Sequence, residues 1–333
     1  MLTAILATLL FILVVVLGLI IWSIKRHRDP DLHIEVDYPI DKLVPSLAGL
    51  TLSTAIAGNS VEVFENGGFF DVLIEDIGKA KHSVHFETFL WEEGVLARRV
   101  ADALSERARA GLQVRVLLDA IGSKKMGDAI ERQMKAAGCK VVKFHHHHIR
   151  NIGVFHERDH RKLVVLDGTA AFVGGHCVKD EWLGNAEDGK HFADVSVRVR
   201  GPIVSNLQGA FSENWAGETG ELFLGDDVFP RLDEAGVITI HAAFAKPERS
   251  APAVKILHHT VLCVAMKRIW IQNPYFIPEP DAIDAFGRAV ERGVDVRVMM
   301  PSTDGSDNPM VQHAGHRNFE KLLKCGVRLF EYP

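Results

Sequence analysis

Two stretches of this chain repeat one strand–helix–strand pattern in the same order, and that repetition narrows the fold more than any single motif does. In the first, the apolar strand Ser83–Phe89 leads into a helix with Leu96, Val100, Ala103 and Leu104 on one face. Arg109-Ala110-Gly111 ends that helix, and Gln113–Leu118 is the next strand. In the second, Arg268–Asn273 precedes a helix bearing Ile283, Phe286 and Val290, then Arg292-Gly293 and the strand Asp295–Met300. Gly111 and Gly293 stand 182 positions apart, which sets Val114-Arg115-Val116 on Val296-Arg297-Val298. Further on, Ala137-Gly138 matches Cys325-Gly326 at an offset of 188, each ahead of an apolar run. Glycine closing each helix, with apolar strands on either side, predicts α/β layers around a largely buried sheet. Two unrelated units would share some glycine and valine by chance. Several matches in one order at a nearly constant offset favour duplication.

The N-terminus carries a second constraint. Leu2–Ile24 is uncharged over 23 residues. As a helix it would be about 34 Å long, against a hydrocarbon core of about 30 Å. A cleaved signal peptide would want basic residues before a shorter apolar core and a small-residue cleavage site. Here no charged side chain precedes the run and Lys25-Arg26-His27-Arg28 follows it. The expectation is a single-pass anchor in the cell membrane, with the basic flank and the catalytic domain on the cytoplasmic side. The net charge of −5 and pI near 6.4 argue against a nucleic-acid partner, which would call for a basic surplus. Four scattered cysteines without a C-x-x-C pair exclude a disulfide framework and a zinc-ligand pattern, and suit a reducing compartment. With 333 residues there is mass for about two domains. The expected division is an anchor at 1–28, a linker at 29–58 marked by Asp-Pro and Tyr-Pro steps, a first domain at 59–216, a connecting segment at 217–250 and a second domain at 251–333.

Between the two copies lies His160-Arg161-Lys162-Leu-Val-Val-Leu-Asp167-Gly168, followed by Ala171-Phe-Val-Gly174-Gly175. An apolar strand, an Asp-Gly turn and a second apolar strand read as a β-hairpin. His160 and Lys162 are two apart, so a strand puts both on one face. Asp167, five beyond Lys162, falls at the turn and is placed to brace the loop rather than to touch the same ligand atom. An imidazole beside an ammonium suits phosphoryl chemistry: histidine as nucleophile or acid/base near neutral pH, lysine as fixed positive charge for oxygens that gain charge. An ordinary polar strand edge would look the same, and a bare H-x-K-x4-D recurs by chance. The hairpin's place between two matching α/β halves makes it more specific. The run His145–His148 lacks a carboxylate or cysteine pattern to complete a tetrahedral site and reads as a solvated loop. His258-His259 reads as an ordinary helix pair. Glu87 points either into a cleft or into strand hydrogen bonding.

His160, Lys162, Asp167, Gly168 and the pair Gly174-Gly175 resemble the H-x-K-x4-D-G…G-G signature of the phospholipase D superfamily, and most closely its bacterial cardiolipin synthase branch. His85–Phe89, Arg109–Val116, Asp180–Gly184, Asp194 ahead of Val197–Pro202, and Asn273–Pro278 are similar too. The resemblance runs from about residue 45 to the C-terminus. It implies two phospholipase D-like α/β/α sandwich halves after one transmembrane helix, each half giving one motif to a single active site. One histidine attacks the phosphodiester phosphorus to form a phosphohistidine, and its partner serves as acid and then base. By motif match His160 takes the nucleophile's place, Lys162 holds phosphate, and Asp194 falls where an acid orienting a catalytic histidine is expected. Asp167 completes the motif, and Glu87, Gly174 and Gly175 are candidate substrate contacts. The chemistry needs neither cofactor nor metal. The implied partners are the bilayer and phospholipid substrates, phosphatidylglycerol in particular.

Two departures stand out. Cys177 occupies the place where the family usually has an asparagine. No histidine after Asp167 has lysine two residues on, and the second motif would begin near position 348, past Pro333. The expected chain is therefore a cardiolipin synthase-like enzyme truncated before its second motif, transferring a phosphatidyl group between phosphatidylglycerol molecules. Alternatives are a phosphodiester hydrolase of the phospholipase D type, a homodimer that pairs two half-sites, and a non-catalytic membrane protein retaining one half-site.

Overall fold

The computed structural model describes residues 2–26, 32, 34, 38–145, 158–244, 253–303, 305–306 and 308–332. In chain order the elements begin with helices α1 (Leu2–Arg26) and α2 (Ile40–Leu50), strand β1 (Ala55–Glu65) and helix α3 (Gly68–Lys79). The first predicted copy follows as β2 (Ser83–Thr88), α4 (Val95–Arg109) and β3 (Gln113–Asp119), then α5 (Asp128–Ala136) and β4 (Lys140–Phe144). The hairpin is β5 (Leu163–Leu166) and β6 (Ala170–Gly174), followed by β7 (Val195–Arg200), α6 (Val204–Thr219) and β8 (Ile238–His241). The remainder is α7 (Ala253–Val264), β9 (Arg268–Gln272), α8 (Pro280–Glu291), β10 (Asp295–Pro301), α9 (Pro309–His316), α10 (Phe319–Lys324) and β11 (Arg328–Tyr332). Two compact units result: Val44–Pro247, and Met1–Leu43 with Glu248–Tyr332.

The larger unit is an α/β/α sandwich. Its eight-stranded sheet runs β4-β3-β2-β5-β6-β7-β1-β8. β2, β3 and β4 are mutually parallel, and every other pairing is antiparallel. Alternation along the strands divides the core. Val84, Phe86, Val114 and Val116 pack with Phe70, Leu73, Leu96, Val100, Ile130 and Met134 from α3, α4 and α5. Leu117, Leu163, Val165 and Val199 face the other way, onto Phe211 and Trp215 of α6. Burying both faces explains why these strands are apolar at consecutive positions.

The smaller unit has a parallel sheet of order β11-β10-β9, with Ile269, Val296, Val298 and Val327 packed on Phe286, Ala289 and Leu322. The repeat is visible in its turns. Gly111 and Gly293 close α4 and α8 at φ of 92° and 84°, a left-handed conformation that a Cβ would strain. Gly138 and Gly326 do the same at 102° and 85°. Among the described residues one helix is long and apolar enough to cross a membrane, over Thr3–Trp22. Its Thr8 hydroxyl donates to the Ala4 carbonyl at 2.9 Å, so the one polar group midway along that stretch is satisfied within the helix.

The larger unit begins and ends elsewhere than the composition indicates. The span read as a linker, 29–58, contains α2 and the start of β1, because Leu47 and Ala48 are buried and Thr51 bonds His241 Nε2 at 2.9 Å. The span read as connecting, 217–250, contributes β8, which pairs with β1, and buries Phe223 and Val228. The Gly58-Asn59 step conceals β1 in the sequence. Asn59 is buried, donating to Ile56 O and Ile238 O and accepting from Ile203 N.

Candidate active site

Strand directions bring the chemistry to one end of the larger sheet. The C-terminal ends of β1, β2, β3 and β6 and the N-terminal ends of β5 and β7 all lie there. Asn66, Phe89, Asp119, His160–Lys162, Gly174–Cys177 and Asp194 are therefore neighbours in space, though they span 128 residues between Asn66 and Asp194.

His160 and Lys162 precede β5 rather than lie within it, yet they meet as an extended strand would place them. The Lys162 ammonium donates to His160 Nδ1 at 3.1 Å and to the His160 carbonyl at 2.7 Å. Phe89 forms the wall behind both, its ring centroid 4.7 Å from the His160 ring and 5.3 Å from Lys162 Nζ. Partial burial lowers the His160 pKa below its ordinary value, and the nearby ammonium adds to this. The imidazole is thus neutral near pH 7, the form with a lone pair to give. Burial also lowers the Lys162 pKa, opposed by the Cys177, Asp159 and Asp194 side chains.

Asp167 lies at the opposite end of the sheet. Four strand residues separate it from Lys162, roughly 16 Å along β5. It is the first residue of the hairpin turn, at φ 52° with Gly168 at 62°, and its carboxylate accepts from the backbone amides of Lys81, His82 and Ser83. It braces the entry to β2 and does not join His160 and Lys162. A Cβ on Gly168 would overlap Val228 O, so that turn position is closed to side chains as well.

Asp194 is at the site's end of the sheet but makes no hydrogen bond to His160. Its Oδ2 accepts from Trp182 Nε1 at 2.7 Å and its Oδ1 from Val195 N at 2.7 Å. The backbone is tied to Asn66, whose amide donates to the Asp194 carbonyl at 2.8 Å. Its charge is felt by Lys162 and His176. The glycine pair has a spatial cause: a Cβ on Gly174 would overlap Ser196, and one on Gly175 would overlap the Asp194 carboxylate. Their role is to admit those side chains.

His176 is a residue the sequence reading passed over. It is buried and stacks on Phe69 at 4.6 Å, accepts from the Ser196 hydroxyl at 2.7 Å and donates from Nε2 to Asn66 O at 3.0 Å. Burial holds its pKa down, so it stays neutral and structural. Cys177 is also buried, and desolvation raises its thiol pKa, leaving a neutral group beside Lys162. Glu87, on the α6 side of β2, is 1% exposed and accepts from Asn214 Nδ2 at 2.7 Å. His146–His148 lie outside the described residues, and among the described residues no cluster of three His, Cys, Asp or Glu is arranged to hold a metal. His259 is buried on α7, 4.0 Å from Asp281.

An α/β/α sandwich with a histidine–lysine pair at one sheet end and a glycine pair opening onto an acid defines a phospholipase D-like domain. The family described as "Cardiolipin synthase, PLD-like domain" matches residues 73–215 and 260–333, and the chain belongs to it. A cardiolipin synthase of Geobacillus thermodenitrificans is 31% identical over 309 residues, covering 92% of this chain and 59% of that protein. One from Halalkalibacterium halodurans is 34% identical over 259 residues, covering 76% of this chain and 50% of that protein. The chain thus spans between half and three-fifths of the length of these relatives. The phosphatidylserine synthase structure from Haemophilus influenzae has the same fold, with a TM-score of 0.57 at 15% identity over 86% of this chain and 77% of that one.

Proposed function

We propose that the chain is the His160-bearing part of a membrane-anchored phosphatidyltransferase of the cardiolipin synthase type. His160 Nε2 attacks the phosphorus of phosphatidylglycerol, a P–N bond forms, and the P–O bond to the glycerol headgroup breaks. The headgroup of a second phosphatidylglycerol then displaces the histidine, giving cardiolipin. Lys162 neutralises the phosphoryl oxygens as their charge grows. In the resting arrangement its donation to His160 Nδ1 leaves the ring proton on Nε2. A phosphate that draws the ammonium away frees Nδ1 to take that proton and Nε2 to attack. Protonation of the leaving glycerol requires a second acid. None of the other sixteen histidines has lysine two residues on, so the reading assigns that step to a group beyond this pair, in a longer product or a second copy. α1 holds the site at the headgroup layer, and the basic residues after it place the rest on the cytoplasmic side.

The observation that carries this reading is the desolvated His160–Lys162 pair inside the family-matched region. The test is the full-length gene product in phosphatidylglycerol vesicles. Cardiolipin and free glycerol are expected. His160→Ala should reduce the rate by 10³-fold or more and Lys162→Ala by about 10²-fold. Phosphatidic acid as the main product would replace transfer by hydrolysis, and no product from the unaltered protein overturns both.

A further inference from the structure

Directly before His160 stands a second carboxylic acid that no motif includes. Asp159 is 3% exposed and meets the equally buried Glu87, which projects from β2. Each has one oxygen already engaged: Glu87 Oε1 accepts from Asn214 Nδ2 of α6, and Asp159 Oδ1 from the Arg161 amide at 3.1 Å. The other two, Glu87 Oε2 and Asp159 Oδ2, are buried without a donor among the described residues. Two carboxylate oxygens in that position are both acceptors. Only a proton between them satisfies both, and two bare charges there would repel with nothing to screen them.

We propose that Glu87 and Asp159 share one proton and, in that state, act as the positioning pair that fixes residues 159–162 and so sets His160 and Lys162 at the sheet end. The surroundings support a clamp. The Asp159 amide donates to Asp119 Oδ2 at 3.0 Å, and Asp119 Oδ1 is itself held by the amides of Ile121 and Gly122. Arg161 reaches the Ala210 carbonyl at 2.8 Å and Glu213 at 3.4 Å, tying the same segment to α6. The charges facing the pair are therefore Asp119 from β3, Arg161 with its partner Glu213 on α6, and Lys162. Burial and the second carboxyl raise the Glu87 pKa well above the usual carboxylate range, which keeps the proton in place at neutral pH. When pH rises far enough to remove it, the two charges push apart and the His160 segment loosens. Activity then falls on the alkaline side.

The activity arm rests on the phosphatidyltransferase reading above; a spectroscopic arm does not. Glu87→Gln keeps the shape, accepts from Asn214 with its carbonyl and offers Asp159 a permanent N–H in place of the shared proton. We expect Glu87→Ala and Asp159→Ala to lose on the order of 10²-fold in rate through displacement of His160. Glu87→Gln should recover to within about threefold of the unaltered enzyme at neutral pH, with its alkaline limb moved up or abolished. Infrared spectra of the full chain should contain a protonated-carboxyl band, shifted in D2O, that both Glu87→Gln and Asp159→Asn remove. Absence of that band at neutral pH in the unaltered protein overturns the proposal. So does a Glu87→Gln variant as impaired as Glu87→Ala, which would mean an ionised Glu87 is needed. If the unaltered protein has no activity, the infrared result still decides the pair, and the function reading fails separately.

Discussion

Replacing Asp167 by alanine separates the turn from the chemistry. Its carboxylate takes three backbone amides, from Lys81 (2.9 Å), His82 (2.7 Å) and Ser83 (2.9 Å), and no other side chain does this at the start of β2. A hydrogen bond to a charged acceptor is worth about 1.5–3 kcal/mol where water is excluded. At this surface turn water recovers part of each, so roughly 2 kcal/mol remains for the set. Alanine at φ 52° adds about 1 kcal/mol that aspartate tolerates better. The total, about 3 kcal/mol, should lower the midpoint of thermal unfolding by roughly 6–12 °C for a unit of this size. Asp167→Asn keeps the left-handed tolerance and one acceptor oxygen and should cost about half as much. Thermal and denaturant unfolding of the detergent-solubilised protein measure both. An alanine variant within about 0.5 kcal/mol of the unaltered protein would refute the bracing role. So would a loss of activity with stability intact, which would return Asp167 to the site.

Two further outcomes follow from the same geometry. Gly175→Ala should displace the Asp194 carboxylate, costing about 1–3 kcal/mol by overpacking, and the Trp182 fluorescence should change as its Nε1–H bond to Asp194 is lost. His85 is fully buried, donating from Nδ1 to Gln208 at 2.8 Å and accepting from Arg115 at 3.2 Å, and burial takes its pKa down to about 4. A histidine depressed in the folded state costs stability as pH falls from its unfolded value, near 6.5, to about 4. The loss should approach about 3 kcal/mol by pH 4, and His85→Gln should remove that part of the acid sensitivity in pH-dependent unfolding.

The two strand–helix–strand copies were legible because their strands are buried on both faces and their helices end on glycines that only a left-handed turn requires. β1 and β8 were not. The Gly58-Asn59 step breaks the alternation of β1, and β8 is four residues long in a polar stretch. α3 did carry a signal in Phe69, Leu73 and Ile77, spaced four apart, which the short glycine-rich lead-in at Gly67-Gly68 obscured. At the site, the i, i+2 spacing was enough to pair His160 with Lys162, and the odd spacing to Asp167 was enough to send it to the turn. The positions of Asp194 and Glu87 depend on strand order and on what α6 covers, and no local pattern carries that. The acid pair joins residues 72 positions apart across β2 and the segment before β5, so spacing alone conceals it.

The central claim is that His160 is the nucleophile, and covalent trapping tests it most directly. The full-length product is mixed with phosphatidylglycerol labelled at phosphorus, quenched in base, and digested for peptide mapping. The account predicts label on the protein that is stable to base, labile to acid and located on His160, and none on His160→Ala. Label that persists in His160→Ala, or maps to another residue, would contradict it.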